Sequence, residues 1–255
     1  MPIVKVGERN VHYQEINRGA PQSVVLVHGM LGNLAVYYFR IAPVLARDFH
    51  VVMYDLKSHG MSEPATEGYD LETMSGDLLG LMDALQLRTV HLAGYSFGGL
   101  VAMKAAMRFP EKFGRLAVIE GPDPSDEEPI RVMTAYNKEA FDEYIEEYMD
   151  TSGKRMGQRQ LDRHHRMYAF IFQQTSMRSD MRKEKDFFSG EGVDQIPHET
   201  LLIYGRESGC IAAGRLLAEK MMDARLLLVE GDHNIPVQQP ETIAYSLKQF
   251  FNGCL

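Results

Sequence analysis

The stretch Gly94-Tyr95-Ser96-Phe97-Gly98-Gly99 separates an apolar, strand-like run at 89–93 from a helix-like run at 100–109. A strand that turns directly into a helix bends within a few residues, and a Cβ at the tightest points of that bend would collide with backbone. Glycines two residues before and two residues after Ser96 meet this requirement, and Gly99 lets the helix pack close to its neighbours. The turn lifts Ser96 above the strand ends. A serine hydroxyl is a poor nucleophile until a base removes its proton, so a raised, accessible position suits covalent chemistry. In this setting the stretch reads as a nucleophile elbow.

A strand-turn-helix unit needs further strands beside it, and the chain supplies them. Residues 2–6 and 9–16 predict a hairpin around Gly7-Glu8. Residues 23–27, 50–54, 115–119, 200–204 and 225–229 are short apolar runs of the buried-strand type. Between them lie helical patterns. Asp70 is placed to cap a helix in which Leu71, Met74, Leu78, Leu81, Met82 and Leu85 recur on one face. Others are expected at 36–45, broken by Pro43, and at 212–222 and 241–251. From 123 to 192 the character changes. Pro122, Pro124 and Pro129 interrupt the chain, and the residues beyond them have helical periodicity without a strand, acidic over 138–150 and basic over 159–174. These charges read as solvated helix faces. The expected organisation is a core of 1–122 and 193–255 with a helical lid inserted at 123–192.

With 255 residues, 45% hydrophobic and 24% charged, the chain can bury one large core. The net charge of −8 comes without a long basic run, so neither a nucleic acid nor an anionic membrane is the expected partner; a small molecule fits better. Residues 1–6 lack the apolar block of a signal peptide, and no apolar stretch approaches the ~20 residues that span a bilayer, which predicts a cytoplasmic protein. Cys210 and Cys254 have no metal spacing and read as free thiols. No phosphate-cradling or dinucleotide-binding glycine loop is present, so neither cofactor nor metal is expected.

Several polar residues follow strands. His28-Gly29-Met30-Leu31-Gly32 closes the run at 23–27, and its glycines mark a loop where backbone approaches something closely. An oxyanion needs backbone N–H donors fixed before charge develops, and Met30 and Phe97 are placed to supply them, with the His28 imidazole bracing the loop. Asp55 and His59 follow the run at 50–54 and are expected to hold their own loop. His91, inside a strand, is expected to be a satisfied core histidine, and His164 and His165 have no partner at metal spacing.

Together the elbow, the His28-Gly29 loop, the Asp55 loop and Gly231-Asp232-His233 resemble the α/β-hydrolase fold superfamily over almost the whole chain outside the lid. The resemblance implies an eight-stranded, mostly parallel sheet with helices on both faces. It also implies that His233, in the loop after the last strand, is the general base for Ser96. The acid that orients the imidazole is less plain. Many relatives carry an aspartate in a Gly-x-x-Asp loop after the seventh strand, and here that loop reads Gly205-Arg206-Glu207-Ser208. A branch that includes some esterases, lactone hydrolases and haloalkane dehalogenases carries the acid after the sixth strand, where this chain has Glu120. Glu120 is therefore the first candidate, Glu207 the second and Asp123 the third.

By the same resemblance, a serine rather than an aspartate at the elbow argues against halide- or epoxide-opening chemistry. The expected function is water-dependent cleavage of a carboxylic ester, lactone or thioester of a small to medium apolar molecule. A carbon-carbon bond hydrolase of the same fold and a small-molecule receptor are the alternatives. Expected substrate contacts are His28, Gly29 and Tyr95, with Met133, Tyr136, Phe141, Tyr168 and Phe172 from the lid.

Overall fold

A computed structural model describes residues 2–126, 157–190 and 192–255. Its centre is one sheet of eight strands: β1 Ile3–Val6, β2 Arg9–Ile16, β3 Ser23–Val27, β4 His50–Tyr54, β5 Val90–Tyr95, β6 Phe113–Ile119, β7 Thr200–Gly205 and β8 Ala224–Val229. Their spatial order is β1-β2-β4-β3-β5-β6-β7-β8. The hairpin β1–β2 and the β2–β4 pair are antiparallel, and every other pair is parallel. Parallel neighbours require crossovers, which put helices on both faces and bury the central strands completely. In β3, accordingly, Val24, Leu26 and Val25, Val27 alternate between two separate apolar clusters, all four with no exposed surface.

One face carries the helices Leu71–Ala84, Phe97–Arg108 and Ile211–Lys220; the other carries Ala42–Leu45 and Pro240–Phe251. Asp70 caps the first of these by accepting from the Thr73 amide. The helix expected at 36–45 is instead two short helices, Ala35–Tyr38 and Ala42–Leu45. Proline lacks an N–H and fits only the first turn of a helix, so Pro43 opens the second helix rather than interrupting a continuous one.

Between β6 and β7 the described residues form the helices Gln158–Gln174 and Met177–Lys183. They are seated on the core by hydrogen bonds from Ser176 N to Thr66 O (2.8 Å), from Tyr69 N to Asp180 (3.0 Å) and from Leu71 N to Glu184 (2.8 Å). Ile171, Phe172, Met177 and Phe188 join the same buried cluster as Phe97 and Leu100. Ile171→Ala is expected to cost about 2–5 kcal/mol, because it opens a cavity where the surroundings relax only partly, and to lower Tm by several degrees. An unchanged Tm would mean that this seating contributes nothing. Met133, Tyr136, Phe141 and the expected helix at 138–150 lie outside the described residues. Among the described residues, no helix is long and apolar enough to cross a membrane.

Candidate active site

Ser96 follows β5 and precedes the helix Phe97–Arg108, with φ +53° and ψ −123°. That conformation is costly for any residue with a Cβ, and the structure around it leaves no alternative. A Cβ on Gly94 would lie 2.1 Å from Gly98 O, and one on Gly98 would lie 2.4 Å from Val27 O. Both contacts are with backbone, so Gly98→Ala should unfold or grossly destabilise the protein; soluble Gly98→Ala of native Tm would refute the tightness of the bend. The turn is tied to the next strand by Ser96 N donating to Ile119 O at 2.8 Å.

His233 follows β8. Its loop is held by Asp232 N donating to Gln238 Oε1 (3.0 Å), Asn234 N donating to Asp232 Oδ1 (2.6 Å) and the Tyr95 hydroxyl donating to His233 O (2.9 Å). The imidazole Nε2 lies 3.0 Å from Ser96 Oγ. Its Nδ1 lies 3.2 Å from Glu120 Oε2. Glu120 stands at the end of β6 with φ +54° and no exposed surface. Its amide donates to Ile203 O at 2.9 Å, and its carboxylate accepts from Gly205 N and from the Ser208 hydroxyl. A buried carboxylate with three donors is well satisfied. Because an ionised carboxylate only accepts, Nδ1 must carry the ring hydrogen, which leaves the Nε2 lone pair facing Ser96.

The other candidate acids lie elsewhere. Glu207 is exposed, and Asp123 accepts from the Ser125 amide at 2.8 Å. Ser208, at the position where many relatives carry aspartate, supports Glu120 instead.

Gly29 sits against the serine: a Cβ there would be 3.0 Å from Ser96 Cβ and 3.2 Å from Tyr95 O. Met30 follows Gly29 in this loop, and Phe97 is the first residue of the helix after Ser96. His28 is fully buried, with Nδ1 donating to Gly29 O (2.7 Å) and Nε2 accepting from Leu56 N (3.0 Å). With both ring nitrogens on backbone, the imidazole braces the loop, as expected of it. Burial, opposed by the Asp55 charge and the Gly29 bond, keeps its pKa below the usual value. Tyr95 likewise spends its hydroxyl on the histidine loop, its ring 5.4 Å from the imidazole.

Asp55 accepts from His12 (2.7 Å), Leu34 N (2.9 Å) and Met61 N (2.8 Å). His59 uses both ring nitrogens on backbone, and burial above all lowers its pKa to about 3. These two residues hold loops, as expected. His91 accepts from Arg115 N at 3.0 Å and stacks on Phe251. Tyr168 and Phe172 are buried against each other with ring centroids 4.7 Å apart, in the cluster that also holds Phe97.

Cys210, read from the sequence as a free thiol without metal spacing, stands beside the histidine. Its Sγ lies 3.5 Å from His233 Nδ1, and Glu120, Cys210 and His233 each offer one ligand atom within 4.8 Å of the other two. Burial works against the His233 imidazolium, but the Cys210 sulfur and the Glu120 carboxylate outweigh it and raise the pKa above its ordinary value. About a third of the His233 side chain is exposed, 35%, so the ring is reachable from solvent.

The profile of the family described as the alpha/beta hydrolase fold matches residues 22–179. The chain belongs to that family. Within it, the chain is 26% identical over 250 residues to the 2-hydroxy-6-oxononadienedioate/2-hydroxy-6-oxononatrienedioate hydrolase of Paraburkholderia xenovorans, covering 89% of this chain and 81% of that one. It is 36% identical over 115 residues to the dihydrolipoyllysine-residue acetyltransferase component of the acetoin cleaving system of Pseudomonas putida. That match covers 45% of this chain and about a third, 31%, of the relative. Among solved structures, the enol-lactonase from Burkholderia xenovorans superposes with a TM-score of 0.78 at 21% identity, covering 98% of this chain and all of that one. As an α/β hydrolase, the chain carries the fold's eight-stranded, mostly parallel sheet, with Ser96 and Glu120 directly after adjacent strands and His233 after β8.

Proposed function

We propose that the protein is a serine hydrolase that cleaves a carboxylic ester, lactone or thioester through an acyl-enzyme on Ser96. The observation that carries this reading is the line Ser96 Oγ, His233 Nε2, His233 Nδ1, Glu120 Oε2, with spacings of 3.0 and 3.2 Å across its two hydrogen bonds. In the proposed cycle His233 takes the Ser96 proton as Oγ attacks the carbonyl, and returns it to the leaving group. Glu120 fixes the tautomer and offsets the imidazolium charge. The Met30 and Phe97 amides donate to the developing oxyanion. Water then enters by the same route in reverse and frees the acid. Gly29 borders the acyl site, and the helical segment after β6 is proposed to close over it and choose among apolar substrates, with Tyr168 and Phe172 contributing.

Turnover of nitrophenyl esters of graded acyl length tests the reading, together with labelling by a fluorophosphonate and mass mapping of the adduct to Ser96. Labelling without turnover of any ester, lactone or thioester would shift the reading to a receptor built on the same fold. The likeness to the Paraburkholderia hydrolase supports a second reading, carbon-carbon cleavage. Comparing kcat/KM for a 2-hydroxy-6-oxodienoate with that for esters separates the two.

The raised pKa of His233 gives a pH dependence. Only the neutral imidazole can accept a proton, so kcat/KM should rise with pH through an apparent pKa above 6.5, the ordinary histidine value. Glu120→Gln removes one of the two groups that favour the imidazolium. In the Ser96→Ala background it should therefore move the NMR titration of His233 to lower pH, and an unmoved titration would show that Glu120 does not govern the ring.

A further inference from the structure

The acid side of His233 carries a feature that ester hydrolysis does not need. Nδ1 has one hydrogen, and Glu120 takes it, yet the Cys210 sulfur stands 3.5 Å from the same nitrogen. Sulfur, nitrogen and carboxylate oxygen all converge within 4.8 Å of one another. The spacing can be compared with what a metal ion demands. Tetrahedral zinc holds sulfur at about 2.3 Å and nitrogen or oxygen at about 2.0–2.2 Å, so its ligands stand apart by about 3.6 Å for sulfur to nitrogen and about 3.3 Å for nitrogen to oxygen. The observed separations are 3.5 Å for Sγ to Nδ1 and 3.2 Å for Nδ1 to Oε2. Two edges of the coordination polyhedron are thus already set.

The rest of the surroundings also suit an ion. Gly205 N and the Ser208 hydroxyl donate to Glu120 and hold its carboxylate still, as outer-shell partners do for metal ligands. Ser208 Oγ in turn accepts from the Cys210 amide at 3.0 Å, so one hydroxyl fixes two of the three ligands. Cys210 is half-buried and His233 is 35% exposed on its side chain, which leaves a way in from solvent. A thiolate in the set favours zinc or cadmium over magnesium and calcium.

We propose that Glu120, Cys210 and His233 form a binding site for zinc that switches the enzyme off. On binding, Cys210 loses its thiol proton to solvent, zinc takes the Nδ1 lone pair, and the ring hydrogen moves from Nδ1 to Nε2. A neutral imidazole with its hydrogen on Nε2 cannot accept the Ser96 proton. Glu120 is meanwhile committed to the metal. Inhibition therefore follows from the tautomer, without any ion at Ser96. The inhibitory part of this inference rests on His233 being the base of the proposed reaction; the binding part does not.

The test uses the full chain in three forms: native, Cys210→Ser and Ser96→Ala. Cobalt(II) stands in for zinc as a visible probe, since a cobalt–thiolate bond gives a charge-transfer band. Native and Ser96→Ala protein should both show the band, and zinc should displace it at one equivalent. Cys210→Ser should lose the band and bind zinc roughly 100-fold more weakly. In ester turnover, saturating zinc should lower the native rate at least ~10-fold and EDTA should restore it, magnesium and calcium should not inhibit, and Cys210→Ser should be resistant relative to its own metal-free rate. No cobalt–thiolate band in native protein, or zinc affinity equal in native and Cys210→Ser protein, would overturn the site. The band with undiminished turnover under saturating zinc would leave thiolate binding standing and overturn the switch. Absence of turnover in the native protein would remove the hydrolase reading while the cobalt titration still decides the site.

Discussion

Ser96→Ala is expected to lower kcat for ester hydrolysis by at least ~10⁴-fold while leaving a folded protein, because the variant loses the atom that would carry the acyl group. The strained backbone is common to serine and alanine, since both have a Cβ at φ +53°. Among the described residues, the side-chain hydrogen bond lost is that to His233 Nε2. The expected change in stability is therefore about 1 kcal/mol, and in Tm a few degrees. Rate and melting curve are to be measured on the same preparation. Retained turnover would remove Ser96 from the chemistry and with it the proposed acyl-enzyme.

Glu120→Gln carries the second large effect. The amide keeps the shape of the carboxylate but not its charge, and its NH2 group can donate towards Nδ1 and so favour the wrong tautomer. The expected loss is ~10²- to 10⁴-fold in kcat. Glu207→Gln changes an exposed side chain and should leave kcat within about twofold. The reverse pattern would place the acid after β7. Folding must be checked alongside, because Glu120 accepts from Gly205 N and Ser208 in a region with no solvent. The NH2 of a glutamine there faces either Gly205 N or the Ser208 hydroxyl, each a donor to the carboxylate it replaces, at about 1–3 kcal/mol.

Most of the sheet was legible in the sequence because parallel strands covered on both faces must be apolar throughout, and runs such as 23–27 and 50–54 have no other reading. The elbow was equally legible, since Gly94 and Gly98 are dictated by backbone atoms 2.1 and 2.4 Å from where their Cβ would sit. What could not be read were contacts between residues far apart in the chain. The place of Glu120 directly after the sixth strand put it ahead of Glu207, but the partners that hold it inward appear only with β6 and β7 lying side by side, which turns one carboxylate inward and leaves the other in solvent. Ser208 was visible only as a missing aspartate, and its role as donor to Glu120 appears once the two strand ends meet. Cys210 was read as a free thiol for the same reason: its 3.5 Å approach to His233 spans 23 residues of sequence and an intervening helix and strand. His28 gave a weaker signal, because a histidine beside glycines can serve a loop or a ligand, and only the partners of its two nitrogens decide.

The two residues on the sheet differ mechanically from the third. Ser96 N is bonded to Ile119 O and Glu120 N to Ile203 O, so the proposed nucleophile and acid are each anchored to the backbone of the neighbouring strand and cannot drift apart without breaking the sheet. His233 instead hangs from a loop, restrained by Tyr95, Gln238 and its own turn. In the proposed cycle the distance across which the proton moves is therefore set by the stiffness of that one loop. Loosening it, as Tyr95→Phe would by deleting the hydroxyl that donates to His233 O, should broaden the range of Ser96–His233 separations and lower kcat with little effect on Tm, so that turnover would answer to the tether of a loop as well as to the groups in line with the serine.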